Sequence, residues 1–180
     1  MKTTKLNSTD IINIRKSLDA DINKYWKIIR NENIMSIKDI KAGMGSGMEL
    51  KALYNTITQL QERRIIIKGL LAALNNKITT FNYDDFKKSN NYSIFAACEA
   101  KEAIAQLKLI KTLNPTEKAK KGKSGLTKKE TFTKQKIDSL IHKHQLEANK
   151  FDAAMEKFNN STDIEISADI AKNFESNLTA

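Results

Sequence analysis

Arg63 and Arg64 stand side by side in MELKALYNTITQLQERRIIIKGLLAALNN (residues 48–76), with Lys68 one helical turn further on. A guanidinium presents paired N–H donors to phosphate or carboxylate oxygens, so this group of cations has the chemistry of an anion site. His144, much later in the chain, is another polar residue on an otherwise apolar seam. Arg63, Arg64, Lys68 and His144 are therefore the candidate ligand-binding residues, for a nucleotide-type anion. The plainer reading of Arg64 is a side chain that snorkels to the rim or pairs with a Glu on a neighbouring helix. A second concentration of charge lies in residues 115–130, where Lys118, Lys120, Lys121, Lys123, Lys128 and Lys129 surround Gly122 and Gly125. These six lysines are the candidate nucleic-acid-binding residues, through backbone phosphates; a solvated linker is the alternative. Interleaved aromatics, which would indicate base stacking, are absent.

Other residue types assign no catalytic residue, metal or cofactor. His142 and His144 are two apart and point to different faces of a helix, which rules out a helical metal pair. No cluster of Cys, His and carboxylates has metal-ligand spacing. Asp84 and Asp85 are adjacent, which suits a turn better than an acid-base pair. Gly43, Gly45 and Gly47 form a glycine-rich loop, but no strand precedes it and no Lys-Ser/Thr pair follows, so it fails the P-loop pattern. A hinge or mobile loop is expected there, with closure over a ligand as the alternative. With no nucleophile elbow or dinucleotide fingerprint either, a non-enzymatic chain is expected.

The elements that must position these residues are long helices. Leu50, Leu53, Ile57, Leu60, Arg64, Ile67, Leu71 and Leu74 alternate in steps of three and four, a coiled-coil stripe broken only at Arg64. A first helix, capped at Ser8 or Thr9, carries Ile11, Ile14, Leu18, Ile22, Tyr25 and Ile29. A third, over about 93–113, has a face of small residues (Ala96, Ala97, Ala100, Ala103), with Glu99 and Glu102 expected at its edges. A fourth, over about 133–159, carries Ile137, Ile141, His144, Ala148, Phe151, Met155 and Phe158. The exits of the second and fourth helices read alike, an Asn-Asn pair followed by a β-prone fragment. Pairing of residues 77–81 with 161–166 in a small ribbon is expected.

The fold class expected is mainly α: an antiparallel long-helix bundle with coiled-coil-like packing and a small two-stranded β ribbon. It forms a single helical domain over 1–180. Its parts are an N-terminal helix (1–33), a helical hairpin core (48–113), a mobile basic loop (115–130), a long helix plus short strand (132–166) and a C-terminal helix (167–180). The 180 residues carry a net charge of +10, with 40% hydrophobic and 29% charged residues. That balance favours polyanionic partners. No apolar run spans a bilayer and no secretory signal opens the chain, so a cytoplasmic protein without membrane contact is expected. The lone Cys98, in IFAACEA, reads as a buried small hydrophobe in a reducing compartment.

ERRIIIKGLLAALNN, KITTF, YSIFAACEAKEAIAQLKLIKTL and a final long helix running into FNNSTDIEI together resemble a poorly characterised family of small helical proteins. Its members are carried by phages, prophages and bacteria, and some are labelled septicolysin-like. The likeness covers about residues 50 to 166; FNYDD in place of a glycine turn, and the Lys-rich stretch, depart from it. The resemblance implies a phage or mobile-element origin and a non-enzymatic role. On that footing the expected function is counter-defence: a homo-oligomer that sequesters an anionic small molecule of nucleotide type. The alternatives are a sequence-independent binder of nucleic acid or of a nucleoprotein host defence protein, and a coiled-coil scaffold.

Overall fold

The computed structural model describes residues 5–114, 121, 122, 125, 126, 128–165 and 167. Among these, the elements in order are α1 (Ser8–Glu32), β1 (Ile34–Ser36), α2 (Ile37–Lys41), α3 (Leu50–Asn75), α4 (Tyr83–Lys87), α5 (Asn90–Lys108), β2 (Lys121–Gly122), β3 (Gly125–Leu126), β4 (Lys128–Glu130) and α6 (Lys134–Ser161). The mainly α bundle with a small ribbon is what the three-four periodicity predicts. Residues 168–180, on which the expected C-terminal helix falls, lie outside the described residues.

Local chemistry sets the helix ends. Asn7 caps α1 in a reciprocal pair: Asp10 N donates to Asn7 Oδ1 and Asn7 N to Asp10 Oδ2, each at 3.0 Å. The cap thus falls one residue before the expected Ser8. Thr133 caps α6 and Ser89 caps α5, so α5 starts and ends earlier than the 93–113 expected. Asp84 and Asp85 form the first turn of α4, capped by the Asn82 side chain, as turn-shaping residues would.

The extensive helix contacts are α1 against α3 and α5 against α6, with α3 and α5 meeting between the two pairs. Asp19 meets Arg64 while Trp26 meets Tyr54, which makes α1 and α3 antiparallel. Leu113 meets Glu130 while Tyr92 meets Phe151, so α5 and α6 are antiparallel too. The main core joins Ile11, Leu18, Ile22, Trp26 and Ile29 of α1 to Leu50, Leu53, Ile57, Leu60 and Ile67 of α3. It continues into Ala103 and Leu107 of α5 and Ile137 and Leu140 of α6. Ile14 is exposed, and the fully buried Trp26 takes up the α1 seam instead. A second, aromatic cluster surrounds Phe86. The tip of the Phe86 ring presses on Gly69, where a Cβ would come to 2.5 Å from it, so this helical glycine is a seat for α4.

The ribbon forms, but from other residues. β1 pairs with β4 (Ile34↔Glu130, Ser36↔Lys128), and β2 with β3 (Lys121↔Leu126). The expected partners 77–81 and 161–166 carry no strand among their described residues, and Ser161 is still helical. Closure of α3 explains the first half of this. Lys77 adopts a left-handed φ of 57°, Lys77 N donates to Leu74 O, and Ile78 N to Ala73 O, each at 2.9 Å. This Schellman closure commits the Ile78 amide to the helix and turns the chain away.

The β1–β4 pairing is fixed by Asn33, buried to 1% exposure. Its side chain donates to Lys111 O (2.8 Å) and Phe132 O (3.0 Å) and accepts from Phe132 N (2.6 Å), while its carbonyl accepts from Thr131 N. One amide side chain therefore ties the end of α1 to the residues just after α5 and just before α6. The glycine loop is tied as well: Glu32 accepts from Ser46 N (2.9 Å) and Ser46 Oγ (2.8 Å). Gly43, Gly45 and Gly47 all have positive φ, and at Gly45 a side chain would also press on Met35. Cys98, expected in the interior, is exposed. Ala96, Ala97, Glu99 and Ala100 turn inward around it and leave it on the outer face of α5. No helix among the described residues is long and apolar enough to cross a membrane.

Candidate functional site

Arg64, at the break in the α3 stripe, is 6% exposed and lies on the polar seam between the two helix pairs. Its Nε donates to Glu99 Oε1 at 2.8 Å, Nη1 to Asp19 Oδ1 at 2.9 Å, and Nη2 to Glu102 Oε2 at 2.6 Å and to the second oxygen of Glu99. Lys68 Nζ adds a further contact to Glu99 Oε1 at 2.8 Å. Glu99 is 5% exposed, so a guanidinium and a carboxylate are buried together and hydrogen-bonded along a fork. Burial works against the Arg64 charge. The hydrogen bonds to Glu99 and Asp19 and the charges of Glu99 and Glu102 outweigh it, so the group is held protonated more firmly than a free arginine.

Glu99 and Glu102, three apart on α5, present both carboxylates to α3. This corrects the expectation of a helix-edge position for Glu99, which is buried, whereas Glu102 stays about one-third exposed at the edge. The small residues around them let α5 approach closely enough for Arg64 to reach both.

Further along α3, Tyr54 and His144 meet across the same seam, with the hydroxyl 2.7 Å from Nε2. His144 Nδ1 lies 3.0 Å from Glu147 Oε2, making a carboxylate–imidazole–phenol row. The Tyr54 hydroxyl is pushed up to about 12, by burial first and by the Glu147 charge second. A phenol held neutral in this way serves as a hydrogen-bonding strut between helices and is a poor nucleophile.

Between these two contacts, α3 and α6 leave a crevice of about 360 Å³ floored by α5. α3 contributes Thr58, Gln61, Glu62 and Ile65; α5 contributes Tyr92, Ala96, Glu99 and Ala100; α6 contributes His144, Glu147, Lys150 and Phe151.

The expected anion-binding group is thus not brought together around a common cavity. Arg64 and Lys68 are engaged by carboxylates, and Arg63 is exposed on the outside of α3. His144 is engaged by Tyr54 and Glu147, in a crevice with three glutamates. Of the six candidate lysines, Lys118, Lys120 and Lys123 lie outside the described residues. Lys121 is in β2, and Lys128 and Lys129 are exposed on β4. Within the segment 115–130, on which the expected mobile loop falls, Lys121–Gly122 pairs with Gly125–Leu126 and Lys128–Glu130 pairs with β1; its other residues lie outside the described residues. Among the described residues no group of three or more His, Cys, Asp or Glu could hold a metal ion.

Fold and seam together define an all-α bundle of two helix pairs locked by a buried ion cluster. No family model, curated protein or solved structure matches the chain.

Proposed function

We propose that this chain is a non-enzymatic binding protein that holds nucleic acid electrostatically, without reading its sequence. The lysines between α5 and α6 supply the contact. The observation that carries this reading is the internal neutralisation of Arg64 and Lys68. Those two cations face Asp19, Glu99 and Glu102, which leaves the cluster at −1. The rest of the chain therefore carries +11 against the total of +10, so the charge excess belongs wholly to residues outside the seam. The densest run of that excess is residues 118–129, and its last strand stands on a rigid base built by β1 and Asn33. Positive charge without stacking aromatics suits phosphate contact rather than base readout. In the phage-borne setting that the family resemblance implies, the partner is nucleic acid or a nucleoprotein defence enzyme. Capture of a small nucleotide is the weaker reading, because its four candidate residues share no free cavity.

The test is fluorescence anisotropy on labelled DNA duplexes of unrelated sequence, from about 50 to 200 mM salt. Binding should be equal across sequences and weaken linearly on a log–log plot, with a slope of about −0.9 per phosphate contacted. Replacing Lys118, Lys120, Lys121, Lys123, Lys128 and Lys129 by Gln should flatten that slope. No binding at the lowest salt, or an unchanged slope in the six-fold variant, overturns the proposal.

A further inference from the structure

The glycine loop gathers groups that neither the ion cluster nor the basic segment uses. Three of the five methionines, Met35, Met44 and Met48, stand on it or against it. Met35, in β1, packs on the loop: a Cβ placed on Gly45 would lie 3.1 Å from Met35 Cε and 3.4 Å from its Sδ. Met44 is the residue before Gly45, and its amide donates to Asp39 O at 2.9 Å. Met48 follows Ser46, the residue that Glu32 pins, and its amide donates to Ser46 Oγ at 3.3 Å. Pairing of Met35 with Lys129 fixes the third backbone. Met35 and Met48 line one cavity of about 350 Å³ between the loop, the start of α3 and β4. Met44 is 61% exposed and Met48 46%, so neither thioether is committed to the core.

We propose that Met35, Met44 and Met48 form a thioether site for a single soft monovalent cation, Cu(I). Thioether sulfur is a soft, neutral donor that selects Cu(I) over harder ions. A methionine side chain turns about three bonds, which lets three sulfurs reach one point from backbones already held close together. Positive φ at Gly43, Gly45 and Gly47 shapes the tight return of the loop, and open space around Gly43 and Gly47 leaves room for it to adjust. The lining carries Glu32, Glu49 and Glu130 against Lys51 and Lys129, a balance of charge that favours a cation. Each of these carboxylates already accepts a backbone N–H: Ser46 N on Glu32 at 2.9 Å, Ala52 N on Glu49 at 3.2 Å, and Leu113 N on Glu130 at 2.7 Å. Calcium and magnesium, which take about six or more oxygens, therefore do not fit. Zinc does not fit either, since no group of three or more His, Cys, Asp or Glu among the described residues could hold it.

The inference does not rest on nucleic-acid binding, and its test contains no nucleic acid. The probes are Ag(I), a redox-stable stand-in, and Cu(I) under anaerobic, reducing conditions in competition with a chromogenic Cu(I) chelator. The exposed Cys98 thiol would capture either ion, so the full chain carries Cys98→Ser throughout. One ion per chain is expected, with sulfur neighbours in its X-ray absorption spectrum. Met35→Leu, Met44→Leu and Met48→Leu each keep an apolar side chain of similar volume, and each should weaken binding by about tenfold or more. Met155→Leu, on α6, should leave binding unchanged. Met44 is exposed, so its variant keeps the test decisive if Met35→Leu loosens the loop. Absence of binding to the Cys98→Ser chain overturns the proposal. So does affinity unchanged in a folded Met44→Leu protein, an equal loss in Met155→Leu, or a coordination shell of nitrogen and oxygen.

Discussion

Replacing Arg64 by Leu makes the α3 stripe continuous, and judged by the stripe alone it should stabilise the protein. The seam predicts the reverse. Arg64→Leu removes four of the five contacts that join the cluster's cations to its carboxylates and leaves Glu99, 5% exposed, with Lys68 as its remaining cation. Removing one partner of a buried pair costs about 3–5 kcal/mol. Asp19 and Glu102 are about one-third exposed and are rehydrated, and Lys68 still serves Glu99, so the lower end applies. A loss of about 3 kcal/mol in a chain of this size lowers Tm by roughly 6–12 °C. Urea unfolding followed by circular dichroism measures it, with an unchanged m-value showing that the unfolding transition is the same. Arg64→Leu combined with Glu99→Leu should recover most of the loss, because an apolar pair replaces the ionic one and Lys68 can reach water. An Arg64→Leu protein as stable as wild type would refute this reasoning and show that the buried cluster adds nothing to stability over an apolar residue. A double variant no better than the single would show that the cost lies in packing rather than in stranded charge.

Two further outcomes follow from the seam and its bracket. Asn33→Ala orphans the buried Phe132 amide and should cost about 2–3 kcal/mol; hydrogen exchange should accelerate at Phe132 more than at Thr131, whose amide still bonds the residue-33 carbonyl. Tyr54, with a folded value of about 12 against an ordinary 10.0, contributes stability that is fully present below pH 10 and is lost as pH rises toward 12. Alkaline unfolding should therefore lose this increment in Tyr54→Phe, and the component of the 295 nm absorbance that titrates above the ordinary tyrosine range should vanish with it.

The helices were legible because period and caps are local properties. Leu50, Leu53, Ile57 and Leu60 are buried where their spacing puts them, and Thr133 caps the helix that follows it. Partnerships were not legible to the same degree, since they depend on which surfaces meet. Arg64 was visible as an anomaly, and the plainer of its two readings offered pairing with a Glu of a neighbouring helix alongside snorkelling to the rim. Nothing local marked Asp19 as a third partner or drew Glu99 inward, although the i, i+3 carboxylates of α5 amid alanines were a usable signal. Tyr54 and Glu147 were missed for the same reason: each acquires its role only when α6 is laid across from α3. The ribbon went to the wrong strands because β propensity in KITTF ignores a demand that the helix end makes first. The Ile78 amide was needed to close α3, whereas Asn33 gave the less conspicuous IMS segment a fixed partner in β4.

A seam of buried charge also fixes how the helix pairs are aligned. An apolar α3 stripe facing the small residues of α5 would pack nearly as well after sliding by one turn, since Ala96, Ala100 and Ala103 offer similar surfaces. Arg64 removes that freedom. In the observed register its guanidinium meets Glu99 and Glu102 together and Lys68 also reaches Glu99; a shift of one turn toward Ala96 would carry both cations away from the buried Glu99, and a shift toward Ala103 would leave it Lys68 alone. The stranded charges make the slipped alignment costlier than the native one by several kcal/mol, even where the native pair adds little to stability over an apolar replacement. The same alignment holds Tyr54 opposite His144 and keeps Glu62 and Glu147 on facing sides of the crevice. Arg64 therefore acts on the crevice through register, from a position outside its lining, and the double Leu variant that recovers stability should also be the one that loses a unique alignment of α3 on α5.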